Sequence, residues 1–193
     1  MFCSDADLSG DSVIFLAHQW NFFPGKQYTP SDFNEKSVTG GTFLTLGSFG
    51  NFSLGSTSEA SNGTATYRLT LSLPDTARTY SLYLPEIFSA YTLYLNEEKV
   101  CSQGNPDPAH YQDLIGNKEI SFTASGTVHI TIIVTNYSHI YSGITYPPAF
   151  GTVTAIQKYL STRLFISGIT LAAIFLFAAC SLFFFCRLKH NNA

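Results

Sequence analysis

The sequence has no cluster of basic residues: ten Lys and Arg are scattered along the chain, and thirteen acidic residues outnumber them. Without a basic stripe there is no electrostatic footprint for a phosphate backbone, so nucleic acid is set aside as a partner. Cysteine is equally scarce. Of the four, Cys180 and Cys186 lie in an apolar block near the C-terminus, and Cys3 and Cys101 alone make no disulfide framework. Whether those two pair depends on spatial approach, and the sequence leaves that and the redox compartment open. No CxxC or HxxxH spacing accompanies His129 or His139, which read as structural histidines; no metal and no cofactor is expected. The first ten residues, MFCSDADLSG, lack the basic start and apolar run of a secretory signal. Before the apolar run that begins at Leu164 no amphipathic stretch of ordinary helical length occurs, so helices there are expected to be few and short.

What is present divides into two parts suited to different solvents. From Leu164 to Cys186 there are 23 residues without a charge, Pro, Asn or Gln, rich in Phe, Leu, Ile and Ala. At about 1.5 Å per residue such a helix crosses a hydrocarbon core of about 30 Å. The alternative, a buried core helix, is rarely apolar on every face for so long. Lys158 and Arg163 precede the run and Arg187 and Lys189 follow it, so charge does not fix which side of the membrane holds the rest of the chain.

Between Val13 and Val153 short runs rich in Val, Ile, Thr, Tyr and Phe alternate with Gly, Pro, Asn and Asp about every ten residues, the spacing of strands and turns. The clearest strands are Thr64 to Leu73, Ser81 to Leu84, Tyr91 to Leu95, Ile120 to Thr123 and Val128 to Asn136. In the first, Tyr67, Leu69, Leu71 and Leu73 share one face, and Arg68, Thr70 and Ser72 share the other, which is expected to be wet. Two packed antiparallel sheets bury such faces economically, and the expected fold is all-β: a jelly-roll β-sandwich followed by one transmembrane α-helix. The expected divisions are a flexible N-terminus (1–12), the sandwich (13–157), a juxtamembrane linker (158–163), the transmembrane helix (164–186) and a short basic tail (187–193). Long loops are expected at 47–63, which is Gly/Ser-rich and read as mobile, and at 104–116.

No catalytic motif stands out. A kinase or cyclase needs phosphate-cradling glycines or metal-binding carboxylates, and seven residues follow the apolar run. The GSFG at Gly47 lacks the spacing of a nucleophile elbow. Glu86, Glu97 and Glu98 are the carboxylates considered for glycoside cleavage, and the last two fall in an expected exposed turn. The chain is therefore expected not to be an enzyme. Asn51, Asn62 and Asn136 begin Asn-x-Ser/Thr sequons, read as a consequence of Ser/Thr-rich composition.

For ligand binding, Asn136 to Gly143 (NYSHIYSG) gathers amide, hydroxyl, imidazole and aromatic groups just after a strand, which suits a small carbohydrate-like ligand. Asn136, Tyr137, His139 and Tyr141 are the candidate contacts, joined by Asn96 and by Trp20, the only tryptophan. Each has a structural alternative. Asn136 would cap a turn, Tyr137 and Tyr141 would pack the sandwich edge, Asn96 would be a turn residue and Trp20 core.

Four segments carry a resemblance: WNFFPGKQYTPSDF (Trp20 to Phe33), TYRLTLSLP (Thr66 to Pro74), LPEIFSAYTLYLNEEKV (Leu84 to Val100) and IIVTNYSHIYSGI (Ile132 to Ile144). In this order, ahead of a membrane helix, they resemble the N-terminal extracellular domain of bacterial seven-transmembrane receptors with diverse intracellular signalling modules. That domain is similar in turn to the galactose-binding-like sandwiches of β-galactosidase-type glycoside hydrolases. The sequence departs from the pattern at the turn Asn96-Glu97-Glu98-Lys99, where the family has Asn-Gly-Lys, and it ends after one apolar run. The resemblance implies an extracytoplasmic sensory module, single-pass in the cell membrane. Its expected partners are the bilayer, a carbohydrate-like ligand, and a signalling partner or the missing downstream transmembrane and output domains. The alternative is a membrane-anchored adaptor, a tail-anchored version included, that presents the sandwich to another protein. A concavity dense in polar and aromatic groups would favour the first, and a flat apolar patch the second.

Overall fold

Alternating apolar and polar residues, punctuated by Gly, Pro and Asn, make most of the chain β-structure. The structure is a computed structural model that describes residues 1, 3, 4, 8, 11–35, 38–47 and 62–191, without the side chains of 186 and 188–191. In chain order its strands are β1 (Val13–Phe15), β2 (Trp20–Pro24), β3 (Thr42–Leu44), β4 (Gly63–Ser72), β5 (Arg78–Leu84), β6 (Ala90–Leu95), β7 (Glu98–Gln103), β8 (Lys118–Ala124), β9 (Thr127–Asn136) and β10 (Ala149–Thr152). A short helix α1 (Pro30–Glu35) follows β2, and a long one, α2 (Val153–Asn191), follows β10. The chain forms two compact units, Met1–Ile156 and Gln157–Ala193.

The first unit is a sandwich of two antiparallel sheets, one in the order β1-β10-β5-β8 and the other β3-β2-β4-β9-β6-β7. The spine of the larger sheet is the ten-residue pairing of β4 with β9, from Gly63 opposite Asn136 to Ser72 opposite Thr127. Period-two alternation sends Tyr67, Leu69 and Leu71 of β4, Val128, Ile130 and Ile132 of β9, and Leu93 of β6 inward. They meet Tyr80, Leu82 and Leu84 of β5 and Phe150 of β10 in one core. Full burial of each large apolar side chain is worth about 1.5–3 kcal/mol, so this core dominates stability.

Met1 and Cys3 lie in the stretch expected to be flexible, yet the Met1 carbonyl accepts from Ser72 N–H at 2.8 Å, and Cys3 N–H donates to Ser72 O at 2.9 Å. Cys3 and Leu8 are buried in the core, so apolar side chains and free backbone groups beside β4 hold these residues. Residues 158–163, expected as a juxtamembrane linker, are helical: α2 starts at Val153, with Thr152 Oγ1 accepting from Ala155 N–H at 3.1 Å, and no Gly or Pro interrupts it before Gly168. From Val153 to Phe185 this helix is long and apolar enough to cross a membrane.

The mobile loop expected at 47–63 lies almost wholly outside the described residues. The loop after β7 is pinned by paired backbone bonds between Asn105 and Gln112, at 2.7 and 3.0 Å. Gly104 permits this turn: it has φ +74°, and a Cβ there would collide with the Gln112 carbonyl.

Candidate ligand-binding cleft

Because alternate residues of one strand leave opposite faces, the outer face of the six-stranded sheet carries its own row of side chains. Asn21 on β2 lies opposite Arg68 on β4, Arg68 opposite Thr131 on β9, Thr131 opposite Tyr94 on β6, and Tyr94 opposite Lys99 on β7. This face, expected to be wet, is wet only in part. The segment after β2 folds back over it, and Thr66 is buried while its hydroxyl accepts from Tyr28 N–H and donates to Lys26 O, both at 2.8 Å.

Local sequence explains why that segment turns into α1. Thr29 sits at the N-cap with Pro30 next, a residue whose missing N–H and fixed φ suit the first helical position. Asp32 closes the cap, its carboxylate accepting from Thr29 N–H at 2.9 Å and from the Thr29 hydroxyl at 2.8 Å. Phe23, Tyr28 and Phe33 then meet edge-to-face, with ring centroids 5.4–5.7 Å apart. The Arg68 guanidinium lies 4.0 Å from the Phe33 ring centroid, a cation–π contact that ties α1 to β4. At its other end α1 is tied to the β6–β7 turn, where Asn34 Nδ2 donates to Glu97 Oε1 at 2.7 Å.

Between α1, that turn and the sheet lies a cleft of about 340 Å³ lined by Pro30, Asn34, Arg68, Asn96, Glu97 and His129. A second depression shares Pro30, Asn34 and Glu97 with it and is lined further by Thr29, Ser31, Glu35 and Tyr94. Asn96, with φ +54°, accepts from His129 N–H through its side-chain oxygen at 2.9 Å and donates its own N–H to His129 O at 2.7 Å. His129 Nδ1 is 3.0 Å from the Thr70 hydroxyl. Burial, followed by the nearby Arg68 charge, holds the His129 imidazole below its ordinary pKa, and burial also lowers that of Arg68. Arg68 Nη1 and Thr131 Oγ1 are buried without a hydrogen-bond partner among the described residues. A larger depression on the same face, about 460 Å³, is lined by Gln19, Asn21, Phe43, Thr70 and Met1, whose N-terminal ammonium donates to Thr70 O at 2.6 Å.

The residues singled out from sequence fall in three places. Asn96 lines the cleft and is also the turn residue its alternative reading required. Trp20 is fully enclosed, its indole N–H donating to Leu16 O at 2.7 Å, the core position of its alternative reading. Asn136, Tyr137, His139 and Tyr141 lie on the segment after β9. Asn136 is buried there, its side chain bonded to both the N–H and the carbonyl of His139, at 3.1 and 2.6 Å, so it caps the turn as its alternative reading required. Tyr137 packs edge-to-face on Tyr111 at 5.3 Å. The His139 ring stacks on Phe88 at 4.9 Å, with Tyr141 beside both.

Arg68, Asn34 and Phe33 were not among the sequence candidates. The alternation in TYRLTLSLP put Arg68 on the face opposite the core, which was the available signal. That α1 would cover it is a tertiary fact no local pattern carries. Among the described residues no group of three His, Cys, Asp or Glu side chains is placed to hold a metal ion.

No protein-family model matches the sequence, and none of the curated proteins does. Solved structures do match. A β-glucuronidase of Faecalibacterium prausnitzii is similar over 72% of this chain and 31% of its own, at 14% identity and a TM-score of 0.55. A β-glucuronidase from an uncultured Clostridium matches over 72% and 28%, at 16% identity and 0.52. A glycosyl hydrolase family 2 member from Bacteroides cellulosilyticus matches over 72% and 20%, at 12% identity and 0.54. The chain thus spans less than a third of the length of these enzymes. At such identities the likeness shows the fold: a β-sandwich of the kind found as one domain of family 2 glycosidases, followed here by one long apolar helix.

Proposed function

We propose that the chain is a membrane-anchored ligand-binding module, its sandwich recognising a small polar, carbohydrate-like ligand and its apolar helix crossing the bilayer. The observation that carries this reading is the cleft under α1, where amide, carboxylate, guanidinium and imidazole groups converge on one concavity beside aromatic side chains. Its sandwich is similar to domains of enzymes whose names concern glycosides, which supports a carbohydrate-like ligand. No catalysis is assigned to it. The resemblance to bacterial receptor input domains gives the module its proposed place, outside the cytoplasm and upstream of a signalling partner.

The test is thermal melting of the full chain in lipid nanodiscs against a panel of mono- and oligosaccharides. A binder at a hundred times its Kd stabilises the fold by about 2.7 kcal/mol, a shift of several degrees. Asn34→Phe, which fills the cleft and removes the bond to Glu97, should abolish that shift. A panel in which no sugar moves the melting temperature overturns the reading.

One observation favours the adaptor instead. Leu114 and Ile115 are exposed next to Asp113, whose carboxylate accepts from the Ser138 hydroxyl at 2.9 Å, and Ile140, two residues further on, is also exposed. The Ser138–Asp113 bond joins the two segments that carry these exposed apolar side chains, which is what favours a protein-binding surface there.

A further inference from the structure

We infer that the ligand of this cleft carries a carboxylate that Arg68 receives, so that the module selects small hydroxylated acids over neutral sugars. The inference rests on the ligand-binding reading above and specifies its chemistry.

Arg68 is a partly buried cation with no ion pair among the described residues, an arrangement that loses hydration without recovering it from a counter-charge. Its orientation is nonetheless fixed. The Phe33 ring occupies one face of the guanidinium at 4.0 Å, which leaves its N–H groups, all in the plane, to find acceptors. Two of the polar atoms on neighbouring strands at this level, Arg68 Nη1 and Thr131 Oγ1, lack partners, and Arg68 and Thr131 are direct partners in the β4–β9 ladder. No acceptor among the described residues meets Arg68 Nη1, while the Thr131 hydroxyl can either donate or accept. Asn96 adds a side-chain NH2 whose carbonyl is already used by His129 N–H. The one carboxylate lining the cleft, Glu97, lies on the exposed β6–β7 turn and accepts from Asn34, so it does not neutralise Arg68. A planar anion is the group that matches a fixed guanidinium, through paired charge-assisted hydrogen bonds. The amides of Asn34 and Asn96 above it suit hydroxyl groups on the same ligand.

A purely structural role is the competing account: Arg68 would only pin α1 through Phe33. The two accounts part on selectivity. Isothermal titration of the full chain in nanodiscs would compare glucuronate, galacturonate and gluconate with glucose and galactose. The expected result is an acid bound at least about tenfold more tightly than its neutral counterpart. Arg68→Gln should reduce that acid to the affinity of the neutral sugar. Glu97→Gln, on an exposed turn that does not support the core, should tighten the acid about two- to fivefold by removing a negative charge from the mouth. It provides the readout should Arg68→Gln lower the melting temperature too far to measure. Equal affinity for acids and neutral sugars, or an acid affinity unmoved by both substitutions, overturns the inference and leaves the ligand-binding reading standing. Failure of every acid and every neutral sugar to bind overturns both.

Discussion

His129 shows how a single side chain reports on its surroundings. It leaves β9 on the outer face, between the Thr70 hydroxyl and the Asn96 turn and within reach of the Arg68 charge. Desolvation and that charge both disfavour the imidazolium, so its pKa in the folded protein lies below the ordinary 6.5. The unfolded chain therefore takes up the proton first. The contribution of this site to stability is complete above about pH 6.5 and is lost as pH falls through the folded pKa. A titration of the His129 ring protons by NMR should give a midpoint below 6.5, and Arg68→Gln should raise it. A midpoint at or above 6.5 in the unsubstituted chain would contradict this electrostatic picture. Read from sequence alone, His129 is a histidine among apolar neighbours. The strand period, which places it with Thr70 and Arg68 rather than with Val128 and Ile130, was legible, but the partners it meets there come from other strands.

At the scale of elements, legibility followed length. The five strands read from sequence recur within three residues at each end: Thr64 to Leu73 as Gly63–Ser72, Ser81 to Leu84 as Arg78–Leu84, Tyr91 to Leu95 as Ala90–Leu95, Ile120 to Thr123 as Lys118–Ala124 and Val128 to Asn136 as Thr127–Asn136. Each has enough β-branched and aromatic residues for period two to show. β1 and β3 have three residues apiece, and β7 (EKVCSQ) has little apolar character, so these exist through pairing with neighbours rather than through pattern. The six-residue α1 is too short for periodicity, although its Thr-Pro-Ser-Asp start is a legible cap. That cap decides whether the cleft has a wall. Thr29→Ala removes the hydroxyl bond to Asp32 and should cost about 1 kcal/mol locally. Hydrogen exchange should then quicken about fivefold in α1, with β4 and β9 unchanged. Unaltered exchange in α1 would mean that Phe33 and Asn34 hold it without the cap.

At the scale of the whole molecule the sandwich and the apolar helix pose the topological question on which the proposed role depends. The helix from Val153 to Phe185 exposes Leu164, Phe165, Phe175 and Phe184, a surface suited to lipid. The sandwich presents a polar cleft, suited to water-borne ligands. Balanced basic residues on either side of the apolar run leave its orientation unread from sequence, because the positive-inside rule works on a difference in charge. The measurement that tests the account most directly is site-specific labelling in intact cells. A cysteine introduced at Ala109, exposed on the loop after β7, would be probed with a membrane-impermeant maleimide in a Cys101→Ser background. Labelling of intact cells at the level seen after lysis places the sandwich outside, as recognition of an external ligand requires. Labelling only after lysis would contradict the sensory reading and leave a cytoplasm-facing, membrane-anchored adaptor.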